Sequence, residues 1–181
     1  LSSPTAFSHA VNNMGAGLLS LLLGIEGPCF TISQFELSFA GAVSTAAAQL
    51  GAGRAERVLL CAVDETDSRF SHCCPEYLSS KYPQTEGAVA LCLGRQAAGA
   101  PSLQVRWGQE PETGGPVFAS GAASGPGWTN HEHLYGHGPL AQALDVLLAL
   151  NMPQTTRAEA VNCVCAAAAS GRQALIEVRG A

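Results

Sequence analysis

The segment from Leu37 to Leu50 constrains the fold most, because it has the pattern of a helix that carries no charged side chain. It reads LSFAGAVSTAAAQL, and the residues GAG at 51–53 end it. Small side chains let a helix approach its neighbours closely, so the pattern predicts a central helix that is packed on most of its faces. Such a helix is typical of a layered α/β domain.

Several segments around this helix have the composition of strands. The predicted strands are CFTIS at 29–33, RVLLCAVDE at 57–65, GAVALCLG at 87–94, SLQVRWG at 102–108, AVNCVCA at 160–166 and QALIEVR at 173–179. The continuous apolar run at 57–65 is typical of a strand that is covered on both faces.

Two further helices are predicted, at 9–23 and at 139–151. The Gly- and Pro-rich stretch at 109–130 is expected to be a loop with at most one short strand near Val117, and the last two strands are expected to form a hairpin. This order of elements predicts an α/β fold of α-β-α layers around a buried central helix.

Charge and composition exclude two classes of function. The net charge is -5 and Lys81 is the only lysine, so the chain offers no basic patch to a nucleic acid. The longest apolar run, from Leu18 to Ile25, is far shorter than the roughly 20 residues of a membrane span.

The seven cysteines are an odd number and suggest no disulfide framework, which favours a reducing, cytoplasmic location. Four of them, Cys29, Cys61, Cys92 and Cys163, lie in apolar strand-like segments and are interpreted as small hydrophobic side chains. No cofactor is expected from any motif.

Four stretches together carry a resemblance to a known family. They are NMGAG at 13–17, GIEGP at 24–28, YPQTEGAVALCLGR at 82–95 and LYGHGPLAQALDVLLAL at 134–150. In this order they resemble the β-ketoacyl synthases, the condensing enzymes of fatty-acid and polyketide synthesis.

The resemblance implies a reduced thiolase-like fold. Residues 1–100 would form an N-terminal half without its first strands, and residues 101–181 would form a shortened C-terminal half. We therefore expect either a miniaturised family member or a fragment of a longer protein.

The resemblance also implies where the family's catalytic residues fall. The nucleophilic cysteine falls on Glu36, the first catalytic histidine on Ser120 and the second on His137, while the motif lysine has no counterpart. A carboxylate cannot hold an acyl chain as a persistent thioester, so we expect no condensing activity and no catalytic residue. Glu36 is instead expected to begin the central helix, where the helix dipole favours an acid.

Ketosynthase-like subunits that lack the cysteine are known as chain-length factors. The resemblance implies a non-catalytic subunit, not an enzyme by itself, that forms a heterodimer with an active ketosynthase in fatty-acid-like or polyketide-like biosynthesis, such as an aryl polyene pathway. Contact with the acyl carrier protein would be indirect. The predicted partner interface comprises Cys29, Phe30, Thr31, Ile32, Ser33 and Phe35.

Three alternatives remain open. A malonyl-carrier decarboxylase would need two histidines, of which Ser120 replaces one. A metal site could be formed by His131, His133 and His137, although their spacing matches no common zinc motif. A scaffold could bind a synthase or carrier protein without shaping a tunnel.

Overall fold

The computed structural model describes residues 13–65, 82–95, 99–111, 115–152 and 160–180. The chain divides into two compact units, one that ends at Ser33 and one that begins at Gln34. The predicted division into halves at residue 100 stays a prediction.

The first unit contains one helix, α1 (Met14–Leu23), within its described residues. Gly24 ends it in the left-handed conformation (φ 64°), which lets its amide reach back to the Leu21 carbonyl. The predicted helix at 9–23 is thus confirmed from residue 14, and residues 9–12 lie outside the described part.

The prediction of a strand at 29–33 is wrong. Residues 28–34 have no regular secondary structure. A strand is stable only when a neighbouring strand takes up its backbone hydrogen bonds, and none of the described strands pairs with this segment.

The second unit is built from two sheets and three helices in its described residues. Its elements are a 3₁₀ turn (Phe35–Leu37), α2 (Ser38–Gly51), β1 (Arg57–Asp64), β2 (Gly87–Gly94), β3 (Ser102–Trp107), β4 (Val117–Gly121), α3 (Glu132–Tyr135), α4 (Ala141–Asn151), β5 (Val161–Ala166) and β6 (Gln173–Arg179). Except for α3, these agree with the predicted elements.

The two sheets differ in size and pairing. Strands β1 and β2 form an antiparallel pair, whereas the larger sheet has the order β3-β6-β5-β4, with β4 parallel to β5 and the other pairs antiparallel. The predicted hairpin of the last two strands is therefore confirmed.

Helices α2 and α4 lie between the two sheets. Helix α2 packs on β1, β3 and β6. Helix α4 packs on β2, β4, β5 and β6. The buried residues Phe39, Ala40, Val43, Ala46 and Leu50 recur at helical spacing along α2. The prediction of an α/β layered fold with a buried central helix is confirmed.

One face of the small sheet is exposed, so the prediction that strand 57–65 is covered on both faces is wrong. Leu60 is buried, but Leu59 and Val63 on the opposite face are exposed, Val63 to 71%. Alternate residues of a strand point to opposite faces, and a run that is apolar on both faces cannot reveal which face is covered.

The described cysteines divide into buried and exposed side chains. Cys163 and Cys165 are buried, whereas Cys29, Cys61 and Cys92 are exposed. The interpretation as a small hydrophobic side chain therefore holds for Cys163 and is wrong for Cys29, Cys61 and Cys92. In the described ranges, no helix combines the length and the hydropathy that a membrane crossing requires.

Candidate functional site

The turn in front of α2 has the geometry of an elbow. Phe35 has φ 50°, in the left-handed region that non-glycine residues seldom occupy. The Ser38 hydroxyl fixes the turn, because it accepts a hydrogen bond from the Gln34 amide (2.7 Å) and donates one to the Phe35 carbonyl (2.6 Å). Glu36 is the next residue, in the 3₁₀ turn two residues before α2 begins, so it lies near the start of the central helix as the sequence predicts.

Glu36 is turned inward and is only 6% exposed. Its backbone carbonyl accepts a hydrogen bond from the Cys165 thiol (3.3 Å). The start of α2 is the favourable end of the helix dipole for this charge.

Ser120 occupies the end of β4 and is fully buried. Its hydroxyl donates a long hydrogen bond to the Val164 carbonyl (3.4 Å) on the neighbouring strand. A serine hydroxyl in this position has neither the charge nor the proton affinity of an imidazole, so Ser120 cannot act as the family's first histidine.

His137 forms a hydrogen-bonded pair with Glu132, with 2.9 Å between Nδ1 and Oε1. The same Glu132 oxygen accepts the Gly121 amide (3.2 Å) at the end of β4. The hydrogen bond to Glu132 raises the pKa of His137, and the nearby negative charge of Glu36 raises it further. Glu132 is a partner that the sequence reasoning did not identify, because no motif links it to His137.

The loop that carries His137 is held by the segment before β2. The His137 amide donates to the Pro83 carbonyl (2.8 Å), and its carbonyl accepts the Thr85 amide (2.7 Å). These two bonds fix the backbone of His137 against the segment before β2.

Cys165 lies beside two of the three predicted positions, Glu36 and Ser120. Its thiol donates a hydrogen bond to the Glu36 carbonyl and lies beside the Ser120 hydroxyl. The negative charges of Glu36 and Glu132 contribute to a raised pKa of this thiol. Burial raises the pKa of Cys165 to about 12, so this thiol is inert as a nucleophile.

Asp145 on α4 is a second buried acid that the sequence reasoning missed. Its Oδ1 accepts hydrogen bonds from the Tyr135 hydroxyl and from the His131 ring (3.3 Å). The Ser120 hydroxyl also lies close enough to lower the pKa of Asp145, but Oδ2 has no hydrogen-bond partner in the described part of the chain. Burial dominates and raises the pKa of Asp145 to about 6.

The three histidines of the predicted metal alternative have three different partners. His131 contacts Asp145, His133 contacts the Asn130 carbonyl (3.2 Å), and His137 contacts Glu132. Across the described residues, no group of three or more His, Cys, Asp or Glu side chains is arranged to hold a metal ion.

A cleft of about 540 Å³ opens above Glu36. Its aromatic walls are Phe35 and Trp107, which are 52% and 40% exposed, and Trp107 donates a hydrogen bond to the Ser44 hydroxyl (3.1 Å). The complete lining is Gln34, Phe35, Glu36, Leu37, Gly41, Trp107, Ala167, Ala169, Ser170 and Arg172.

The predicted partner interface is divided between the two units. Residues 29–33 belong to the first unit, where Cys29, Thr31 and Ser33 are exposed and Phe30 is 56% exposed. Ile32 is half-buried, and Phe35 belongs to the second unit.

Comparison with solved structures shows the fold. The chain is similar to a structure described as "The ishigamide ketosynthase/chain length factor", with a TM-score of 0.76 and 15% sequence identity. The similarity covers 98% of this chain but only 64% of that one, so this chain spans about two-thirds of its length. A comparison with curated proteins gave no significant match.

The sequence itself matches a family model. The model describes the N-terminal domain of β-ketoacyl synthases, and its match extends over residues 2–124. That range covers more than half of the chain and contains both the elbow at Glu36 and the end of β4 at Ser120. The chain therefore belongs to the β-ketoacyl synthase family.

Proposed function

We propose that this chain is a non-catalytic ketosynthase-like subunit of the chain-length-factor type. It would pair with an active β-ketoacyl–acyl carrier protein synthase in fatty-acid-like or polyketide-like biosynthesis, including pathways of the aryl polyene type. The observation that carries this proposal is the buried carboxylate of Glu36 at the elbow, where a condensing enzyme needs a thiolate.

The surroundings of Glu36 support the absence of condensation. Ser120 offers a hydroxyl in place of one imidazole, and the thiol that contacts the Glu36 carbonyl is Cys165, whose pKa is raised to about 12 by burial. Removing one member of a concerted catalytic set typically costs several orders of magnitude in rate, and here both nucleophile and histidine are replaced.

The exposed segment at 29–33 supports the pairing. It has no regular secondary structure, and its Phe30 ring is 56% exposed. None of the described strands takes up its backbone hydrogen bonds. A segment of this kind can gain a strand partner from another chain. We propose that it and Phe35 form the contact with the active synthase.

The test is co-expression with an active ketosynthase from the same organism. We expect the two proteins to co-purify, and we expect this chain alone to form no condensation product from acyl and malonyl carrier protein. Glu36→Cys alone should leave the isolated chain inactive, because Ser120 still supplies no imidazole. Condensation by the isolated parent chain would refute the proposal.

Product length separates a tunnel-shaping subunit from a scaffold. Phe35→Ala and Phe35→Trp should shift the product lengths of the complex in opposite directions, whereas Leu134→Ala, at another exposed apolar residue on α3, should not. Unchanged lengths together with weaker complex formation would favour the scaffold.

A malonyl-carrier decarboxylase is the second candidate, and the retained His137–Glu132 pair favours it. An imidazole whose pKa is raised by a carboxylate could polarise a malonyl carbonyl. Steady release of carbon dioxide from malonyl carrier protein by the isolated chain, lost in His137→Gln, would establish this function in place of the first.

A further inference from the structure

The outer face of the small sheet, on the side away from the buried Leu60 and Val89, is a continuous apolar surface. Its six side chains are all exposed, Val63 to 71%. Single exposed apolar residues are ordinary, but a contiguous patch of them typically marks an interaction site. The six are Leu59, Cys61 and Val63 on β1, and Ala88, Ala90 and Cys92 on β2.

The register of the two strands arranges this outer face in three rows. Paired residues of antiparallel strands point to the same face, and Cys61 is paired with Ala90 in the middle row. The rows on either side contain Leu59 and Val63 on β1. The methyl side chains along β2 leave the face flat enough to receive another sheet face.

The end of the outer face at Arg57 is basic. Arg57 is exposed and is paired with Gly94, where an added Cβ would lie 3.9 Å from the Arg57 Cγ, so the arginine stem lies on this face. Arg95 follows β2 at the same end, although the exposed Glu56 offsets part of the positive charge.

The opposite end of the outer face is acidic. Glu65 directly follows β1, and Glu86 directly precedes β2. Asp64 and Gly87, the residues next to them, are paired with each other, so the two exposed acids lie at the same end. The outer face is therefore apolar in its centre, basic at one end and acidic at the other.

A surface with this pattern is complementary to a second copy of itself. We propose that two copies of this chain associate through the outer faces of their small sheets, around a two-fold axis that crosses the middle row at right angles to the strands. This rotation reverses the strand direction and places Arg57 opposite Glu65 of the second copy. An axis parallel to the strands would bring the two acidic ends together, so charge selects the first arrangement. The inference does not depend on pairing with a ketosynthase.

The size of the outer face indicates a reversible association. Each strand has 8 residues and spans about 27 Å, and two strands are about 10 Å wide. This is smaller than the roughly 800 Å² that each partner contributes to a stable interface. We therefore expect monomers at low concentration and dimers at high concentration. The charges at the ends determine the orientation and add little affinity.

Sedimentation equilibrium of the full chain under reducing conditions measures this association. We expect a reversible equilibrium between monomer and dimer, and a chain that stays monomeric up to about 1 mM would overturn the proposal. Val63→Asp places a charge in the apolar rows and should abolish the dimer. Leu134→Asp, at an apolar residue of α3 that is 66% exposed, is the control and should leave the dimer unchanged. Equal effects of the two variants would overturn the proposal.

An exchange of charges tests the orientation of the two copies. Arg57→Glu makes both ends of the outer face acidic and should weaken the dimer about tenfold or more. Adding Glu65→Arg to Arg57→Glu reverses both charges and should restore most of the affinity. Arg172→Glu makes the same charge change at an exposed residue before β6 and should have little effect. A double variant that binds as weakly as Arg57→Glu would overturn the arrangement.

The position of Cys61 gives a second readout of the same geometry. Cys61 lies in the middle row, so the two-fold axis brings it close to Cys61 of the second copy, and packed sheet faces are about 10 Å apart. A short bismaleimide should therefore link the two thiols. Cys29 and Cys92 are also exposed, so peptide mass spectrometry identifies the link, and Cys61→Ser should remove it. Dimers without a Cys61–Cys61 link would assign the association to another surface.

The variant Val63→Asp also separates a second copy from a ketosynthase as the occupant of the outer face. Loss of self-association with unchanged binding of the synthase would support the proposal. If Val63→Asp prevents binding of the synthase and the isolated parent chain stays monomeric, the outer face belongs to the synthase and the present proposal is overturned. Failure of the parent chain to bind any synthase would instead count against the proposed function alone.

Discussion

Replacing Asp145 by Asn should stabilise the chain at neutral pH, although it removes a charged residue with two hydrogen-bond donors around it. Asp145 is fully buried, and burial raises its pKa from 3.8 to about 6. One pKa unit corresponds to about 1.4 kcal/mol, so the buried carboxylate lowers the free energy of unfolding by roughly 3 kcal/mol above pH 6.

The sign follows from proton binding. Between pH 3.8 and about 6, the folded state keeps the Asp145 proton and the unfolded state has lost it, so stability falls as the pH rises. Asn does not titrate, and its oxygen can still accept the Tyr135 hydroxyl. The variant should therefore gain roughly 3 kcal/mol on the parent between about pH 3.5 and pH 7.

His137 titrates in a different window and does not disturb this comparison. Its pKa is raised above 6.5, first by the hydrogen bond to Glu132. A raised histidine pKa stabilises the fold at low pH, and this contribution is lost as the pH rises through the folded-state pKa. The loss occurs above the Asp145 window and affects parent and variant alike.

Urea unfolding at a series of pH values, followed by circular dichroism, measures both proteins. Glu56→Gln is the control, since it makes the same change in net charge at an exposed residue and should give a difference that is nearly flat with pH. A flat difference between Asp145→Asn and the parent across pH 4 to 6, or a difference that moves in favour of the parent, would refute the reasoning.

Two further predictions compare matched positions. Gly121 and Gly171 share φ 63°, but a Cβ at Gly121 would lie 2.5 Å from the Ala166 carbonyl oxygen, whereas one at Gly171 meets nothing within 4 Å. Gly121→Ala should therefore cost about 1 to 3 kcal/mol more than Gly171→Ala in urea unfolding, and equal losses would show that the strand yields without cost. For the thiols, iodoacetamide should label the exposed Cys61 in the native chain and reach the buried Cys165, with its pKa of about 12, only after denaturation. Mass spectrometry of the peptides checks this, and equal native labelling would contradict the described burial.

The central helix and the closing hairpin were predictable because their local signals agree with their final environment. The stretch that became α2 carries no charge, and it is packed between two sheets, so pattern and burial coincide. The segment at 29–33 failed for the opposite reason. Its residues favour a strand, but a strand needs a neighbouring strand for its backbone hydrogen bonds, and none of the described strands pairs with this segment.

The place of Glu36 near the start of the central helix could be predicted from the sequence, but the partners of Ser120 and His137 could not. Asp145 lies in a helix pattern in which a single acid normally faces solvent, and only the approach of Tyr135 makes it a buried acceptor. Contacts between residues distant in sequence depend on tertiary geometry, which the spacing within one motif does not encode.

The elbow at Phe35 positions two side chains on which the proposed function depends. A non-glycine residue in the left-handed region costs roughly 1–2 kcal/mol, and such strain persists only where the surroundings fix it. Here the Ser38 hydroxyl holds both sides of the turn, and the result is an exposed aromatic ring at Phe35 next to a buried carboxylate at Glu36. The same turn therefore presents one residue to a partner and the next to the cleft. Because a single backbone conformation positions both side chains, a change that releases the turn should displace the Phe35 ring and the Glu36 carboxylate together.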